Sequence, residues 1–81
     1  MYTLYILYSK SLERYYTGYT NDLTRRLEEH NRIKGKFTDV GIPWNLVHKE
    51  CFSTKKEAMA REKFIKSKKS NKFIIELVAQ G

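Results

Sequence analysis

The chain has almost none of the residues that hold small secreted or membrane-bound proteins together. A single cysteine, Cys51, stands among 81 residues. That excludes an internal disulfide, fits a reducing compartment and leaves the thiol to be read as a small buried hydrophobe. No apolar run approaches the length needed to span a bilayer. The longest covers residues 4 to 8, and nothing before it has the order of charged, apolar and small residues found in a signal peptide. A cytoplasmic protein with no membrane partner is expected. The one proline, Pro43, ends a stretch from residue 31 that also holds Gly35 and Gly41, so residues 31 to 43 read as a loop. Repeats, low-complexity tracts and linkers are absent, and 81 residues suit one domain over the whole chain, 1 to 81. A domain of this size buries only about 60% of the surface its unfolded chain exposes, so its stability is modest.

Acidic side chains are scarce too, 9 against 16 lysines and arginines, for a net charge of +7. The imbalance is local. Lys55, Lys56, Arg61, Lys63, Lys66, Lys68, Lys69 and Lys72 fall between residues 55 and 72, where only Glu57 and Glu62 oppose them. Such a segment attracts phosphate backbones through counterion release, without reading sequence. The plain alternative is a solvated lysine-rich helix face. An anionic membrane surface fits less well, because the segment also carries the acids and aromatics of a folded helix.

Patterning gives the order β-β-α-β-α-α, an α+β fold with a small three-stranded antiparallel sheet flanked by helices. Residues 2 to 8 read as a strand with two apolar faces, Leu4 and Ile6 against Tyr5 and Leu7, as a central strand requires. Residues 9 to 14 form a polar loop, and residues 15 to 20 return as a hairpin partner. Asn21 is read as the N-cap of a helix to His30, with Leu23 and Leu27 at i, i+4. A third strand covers residues 44 to 52. Thr54 and Glu57 match a capping box that opens a helix to about Lys66, and Ser70 is placed as the cap of a last short helix carrying Phe73, Ile74, Leu77 and Val78. Phe37, Trp44, Phe64 and Phe73 are read as core, Gly18 as a point of close approach between helix and strand, and His48 as bland.

Two sets of residues stand out. If Tyr8 pairs with Tyr15 across the hairpin, Tyr5 and Tyr16 share a face on a cross-strand diagonal. Arg26 and His30, one helical turn apart beside Leu23 and Leu27, would look toward that sheet. Glu62 is anomalous because three of its four neighbours at i±3 and i±4 (Ala58, Met59 and Ile65) are apolar, with Lys66 the fourth. A carboxylate on an inward stripe is costly unless paired or bound to a metal. Each residue also has a plain reading: aromatic packing for the tyrosines, a helix-dipole partner for His30, a surface charge for Arg26, and an ion pair with Lys66 for Glu62.

The conjunction resembles the GIY-YIG nucleases, in particular their short bacterial members. "TLY" is similar to the first signature, with Tyr5 as its tyrosine. "YTG" is similar to the second, with Tyr16 and Gly18. "YTNDLTRRLEEHN" resembles the run that carries the family arginine and histidine, at Arg26 and His30, with Arg25 the exposed neighbour. "EAMAREKFIK" resembles the helix of the metal-binding glutamate, at Glu62. Thr3 and Thr17 depart from the family's glycine and isoleucine, at positions of backbone and packing rather than chemistry. Asn71 is the only candidate for a late family asparagine.

The resemblance implies hydrolysis of phosphodiester bonds in nucleic acid, with DNA taken as the partner. One divalent ion, Mg²⁺ or Mn²⁺, would sit on Glu62, with no small-molecule cofactor. Arg26 would grip phosphate oxygens and His30 would bond within the site. One tyrosine would act as base toward water, with Tyr5 taken first and Tyr16 supporting. Arg25, Lys55, Lys56, Lys63, Lys66, Lys68, Lys69 and Lys72 would contact the backbone. The rival from another class is a basic nucleic-acid-binding module that keeps the fold without turnover. Oligomeric state is left open.

Overall fold

A computed structural model describes residues 1–32 and 40–80. The elements are β1 (Tyr2–Ser9), β2 (Arg14–Thr20), α1 (Leu23–Asn31), β3 (Trp44–Phe52), α2 (Lys55–Ser67) and α3 (Asn71–Gln80). The strands form one antiparallel sheet in the order β2-β1-β3, the α+β architecture expected from the pattern. The run of apolar residues in β1 is explained by its central place. Leu4, Tyr5, Ile6 and Leu7 are all buried, because both faces of this strand are covered.

One face carries the apolar core. Leu4 and Ile6 meet Ile65 of α2, with Tyr15, Val47, Phe52, Phe73, Ile74 and Leu77 packed around them. Ala58 and Ile65, two turns apart, are the buried stripe of α2. Thr54 caps this helix: its hydroxyl accepts from the Glu57 N–H at 3.2 Å and donates to the Glu57 carboxylate at 3.0 Å. That fixes where the helix starts.

Several expectations are corrected. The N-cap of α1 is Asp22, not Asn21; its carboxylate accepts from the Arg25 N–H at 3.1 Å, while its own N–H is taken by the Thr20 hydroxyl. Asn31 is the last residue of α1 rather than loop. Cys51 is exposed, not buried, on the edge strand β3. Phe64 is 44% exposed, on the flank of α2 with the cations of Arg61 and Lys68 over its ring, and Phe73 packs edge-on against it. Phe37 and Gly35 lie outside the described residues. Among the described residues, no helix is long and apolar enough to cross a membrane.

Candidate active site

The hairpin register pairs Tyr8 with Tyr15, Leu7 with Tyr16 and Tyr5 with Gly18. Side chains alternate along a strand, so Tyr5 and Tyr16 share the face opposite the core, on a diagonal. Their ring centroids are 6.2 Å apart. Gly18 is required by the Tyr5 ring lying across it. A Cβ there would stand 2.8 Å from the Tyr5 hydroxyl oxygen and 3.1 Å from a Tyr16 ring carbon, so the close approach is ring to strand rather than helix to strand.

The two phenols have different surroundings. Tyr5 is 2% exposed and Tyr16 41%. Burial pushes the Tyr5 phenol up to about 12; the nearby Tyr16 phenol and Glu62 carboxylate add to the rise, and the Arg26 guanidinium opposes it.

Near the end of α1, His30 places its Nε2 3.4 Å from the Tyr5 hydroxyl, in a hydrogen bond. Its ring centroid is 4.7 Å from that of Tyr16 and 6.3 Å from that of Trp44. The next residue, Asn31, holds this arrangement. Its amide accepts from the Trp44 N–H at 2.6 Å and donates to the Trp44 carbonyl at 3.0 Å, pairing with β3 as another strand would.

Trp44 was expected in the core, yet it lies half-buried beside Tyr16 and His30. The cause is a bulge in β3. Ile6 pairs with His48 but Leu7 pairs with Leu46, so Val47 is an extra residue. Beyond it the parity of the strand is reversed, and Leu46 and Trp44 turn to the face of Tyr5 and Leu7. The bulge thus adds an indole to the site, and only the aromatic character of Trp44 signals it in the sequence.

Glu62 stands on the β2 side of α2. It lines a cavity of about 590 Å³ with Tyr19, Met59, Lys63 and Lys66. The expected inward carboxylate is only partly buried, with 23% of its side chain exposed, and it pairs with Lys66 at 3.3 Å. The Lys66 ammonium also lies 6.0 Å from the Tyr16 ring centre, between the carboxylate and the phenol. A second cavity, about 250 Å³, opens on the other side of Lys66 and is lined by Tyr16, Lys69 and Asn71 among others. Arg26 is half-exposed, with Glu29 4.0 Å away as an ion-pair partner, and its Nε makes no hydrogen bond. Arg25, Lys55, Lys56, Lys63, Lys68, Lys69 and Lys72 are all exposed.

The GIY-YIG catalytic domain is the family description that matches this sequence, over residues 1–73. The chain belongs to the GIY-YIG family. A UPF0213 protein of Haloquadratum walsbyi is 52% identical over 56 residues, covering 68% of this chain and 63% of that protein. A UPF0213 protein of Bacillus subtilis is 46% identical over 65 residues, covering 76% and 66%. The chain therefore spans a little under two-thirds of the length of these relatives. The solution NMR structure of a UPF0213 protein from Bacillus halodurans matches with a TM-score of 0.62 and 32% identity, over 99% of this chain and 85% of that one. GIY-YIG domains are nuclease domains, and the relatives' names add no substrate or mechanism.

As a GIY-YIG domain the chain is expected to use a divalent cation, and its residues can be tested for fit. Among the described residues no three His, Cys, Asp or Glu side chains converge. A preassembled cage of the kind that holds Zn²⁺ is thus not offered by them. Glu62 supplies one hard oxygen donor beside an open cavity, with the Lys66 ammonium as the partner a cation would displace. One such donor is compatible with a hard divalent cation that keeps most of its waters.

Proposed function

We propose that this GIY-YIG domain is a metal-dependent endonuclease that hydrolyses phosphodiester bonds of DNA. The observation that carries the reading is the meeting of Tyr5, Tyr16 and His30 on one sheet face, with Lys66, the ion-pair partner of Glu62, 6.0 Å from the Tyr16 ring centre. Glu62 would hold the cation, which when bound supplies positive charge to the phosphoryl oxygens. Arg26, whose side chain is 43% exposed, would fork onto the same oxygens. His30 orients the Tyr5 phenol through their hydrogen bond.

The choice of base follows from exposure. With its phenol at about 12, Tyr5 would be phenolate in only about one molecule in a hundred thousand at pH 7. It is also shut off from solvent water. Tyr16 is open to solvent, and the Lys66 ammonium lies 6.0 Å from its ring centre. Tyr16 is therefore assigned as the phenol that takes the water proton, and Tyr5 as its buried support, the reverse of the order taken from sequence. The exposed cations Arg25, Lys55, Lys56, Lys63, Lys66, Lys68, Lys69 and Lys72 would hold the DNA backbone.

The deciding experiment incubates branched, flapped and linear DNA with the protein and Mg²⁺, alongside Glu62→Ala. Cleavage by the wild type that is lost with the variant or with EDTA is the expected result. Undiminished cleavage by Glu62→Ala would remove Glu62 from the mechanism. DNA binding without cleavage of any substrate would favour the non-catalytic module.

A further inference from the structure

On the face of the sheet away from the two tyrosines, three charged or polar side chains form a chain of contacts that the proposed chemistry does not use. Arg61 of α2 grips Glu50 of β3 with two bonds, Nε to Oε1 at 3.0 Å and Nη2 to Oε2 at 3.2 Å. Glu50 Oε2 is also 2.7 Å from Nε2 of His48, whose side chain is only 8% exposed. Partial burial works to raise the Glu50 carboxyl, but the bonds from Arg61 and His48 outweigh it and hold the group below the usual carboxylate range. Glu50 is thus a fixed anion anchored from two sides. The Phe64 ring lies under the same guanidinium, 5.4 Å from it.

The fork is positioned to set the rotation of α2. Consecutive helical residues are about 100° apart around the axis. Arg61 and Glu62 therefore point to opposite sides of the buried stripe formed by Ala58 and Ile65, one toward β3 and the other toward β2. Apolar packing at Ala58 and Ile65 is non-directional and leaves a helix free to roll slightly; a two-point bond on one flank does not. A carboxylate about 6 Å from the helix axis moves about 2 Å when the helix turns by about 20°. Functional constellations tolerate errors of only about 0.5 Å.

We propose that Arg61 and Glu50, steadied by His48, are positioning residues for Glu62: the fork on the β3 side of α2 fixes the carboxylate on its β2 side where a divalent cation is taken up. This rests on the reading of Glu62 as the cation's ligand. The fork is the essential feature, and a lysine at 61 would keep the charge and an ion pair but lose the second bond and the planar geometry.

The test is calorimetric titration of Mn²⁺ into the wild type, Arg61→Lys, Glu50→Gln, Glu62→Gln and Thr54→Ala, at a temperature where circular dichroism shows each fully folded. Thr54→Ala weakens α2 by removing its cap without touching the fork. Arg61→Lys and Glu50→Gln are expected to bind Mn²⁺ about tenfold more weakly than the wild type. Thr54→Ala should bind as the wild type does even if it melts at a lower temperature than either. Wild-type affinity in Arg61→Lys, with binding still dependent on Glu62, would overturn the positioning role alone. So would a loss in Thr54→Ala as large as that in Arg61→Lys. A wild type that binds no Mn²⁺, or a Glu62→Gln variant that binds it equally well, would overturn the metal reading and the positioning role with it.

Discussion

The two faces of the sheet share the central strand and little else. On one, Leu4 and Ile6 close against Ile65, and the shell around them is aliphatic and aromatic carbon with few polar tips. On the other, Tyr5, Tyr16, His30 and Trp44 put four rings within 4.7 to 6.4 Å of a neighbour, each ring with an oxygen or nitrogen to place. The backbone differs accordingly. Only the ring-bearing face needs a glycine beneath a side chain, a bulge that reverses a strand's parity, and an asparagine that pairs like a strand. A carbon core is satisfied by volume and a polar cluster by position, so the ring-bearing face carries backbone devices of its own, while on the core face position is fixed by a side-chain fork toward β3, Arg61 to Glu50.

The sharpest way to break this contrast is to remove a single oxygen from the ring-bearing face. Tyr16→Phe should lower DNA cleavage about 10²- to 10⁴-fold, the usual range for a general base, in a single-turnover assay. Folding and DNA binding should change little, since the phenol is exposed. If Tyr16→Phe cleaves normally while Tyr5→Phe does not, the two tyrosines have been assigned in the wrong order.

On the carbon face the loss should be of stability instead. Ile65→Ala should cost about 2–5 kcal/mol in denaturant unfolding, through lost burial and the cavity it leaves. Metal-dependent cleavage per folded molecule should persist. Gly18→Ala crosses the contrast: one added methyl on the ring-bearing face should cost about 1–3 kcal/mol by overpacking. It should also displace the Tyr5 ring, visible as a shift of the Tyr5 ring resonances. An alanine tolerated there without such a shift would mean that Tyr5 does not lie across the strand.

The same contrast explains what the sequence could and could not reveal. The run of apolar residues from Leu4 to Leu7 marks a central strand by elementary alternation, and Thr54 with Glu57 marks a helix start, because both signals are local. The meeting of Tyr5 with Tyr16 was legible one step further on, since a single register, Tyr8 with Tyr15, fixes every other pair in the hairpin. Trp44 was not legible. Its face depends on one extra residue at Val47, and no sequence pattern here separates a bulged strand from a straight one. The Arg61–Glu50 fork was missed for a related reason. It joins two elements whose mutual rotation follows from packing, and a lone arginine among seven lysines reads as one more surface charge. Cys51 and Phe64 erred in the opposite sense, because edge strands and helix flanks leave apolar side chains in the open.

The smallest expected effect concerns the buried phenol itself. Burial holds the Tyr5 phenol at about 12, above its ordinary value of about 10. Below pH 10 the hydroxyl is protonated in both folded and unfolded chains, so its share of stability is fully present. As pH rises past 10 the unfolded chain loses the proton while the folded one keeps it, and stability drains away until the folded phenol also ionises near 12. At pH 10.5 this linkage amounts to about 0.8 kcal/mol. The other tyrosines and the lysines titrate in the same window, so the measurement is a difference. Between pH 9 and 10.5 the wild type should lose about 0.8 kcal/mol more in urea unfolding than Tyr5→Phe does, whatever the variant's stability at pH 9. Parallel pH profiles for the two proteins would mean that the Tyr5 oxygen is solvated in the folded chain. The assignment of Tyr16 rather than Tyr5 as the base would then lose its physical ground.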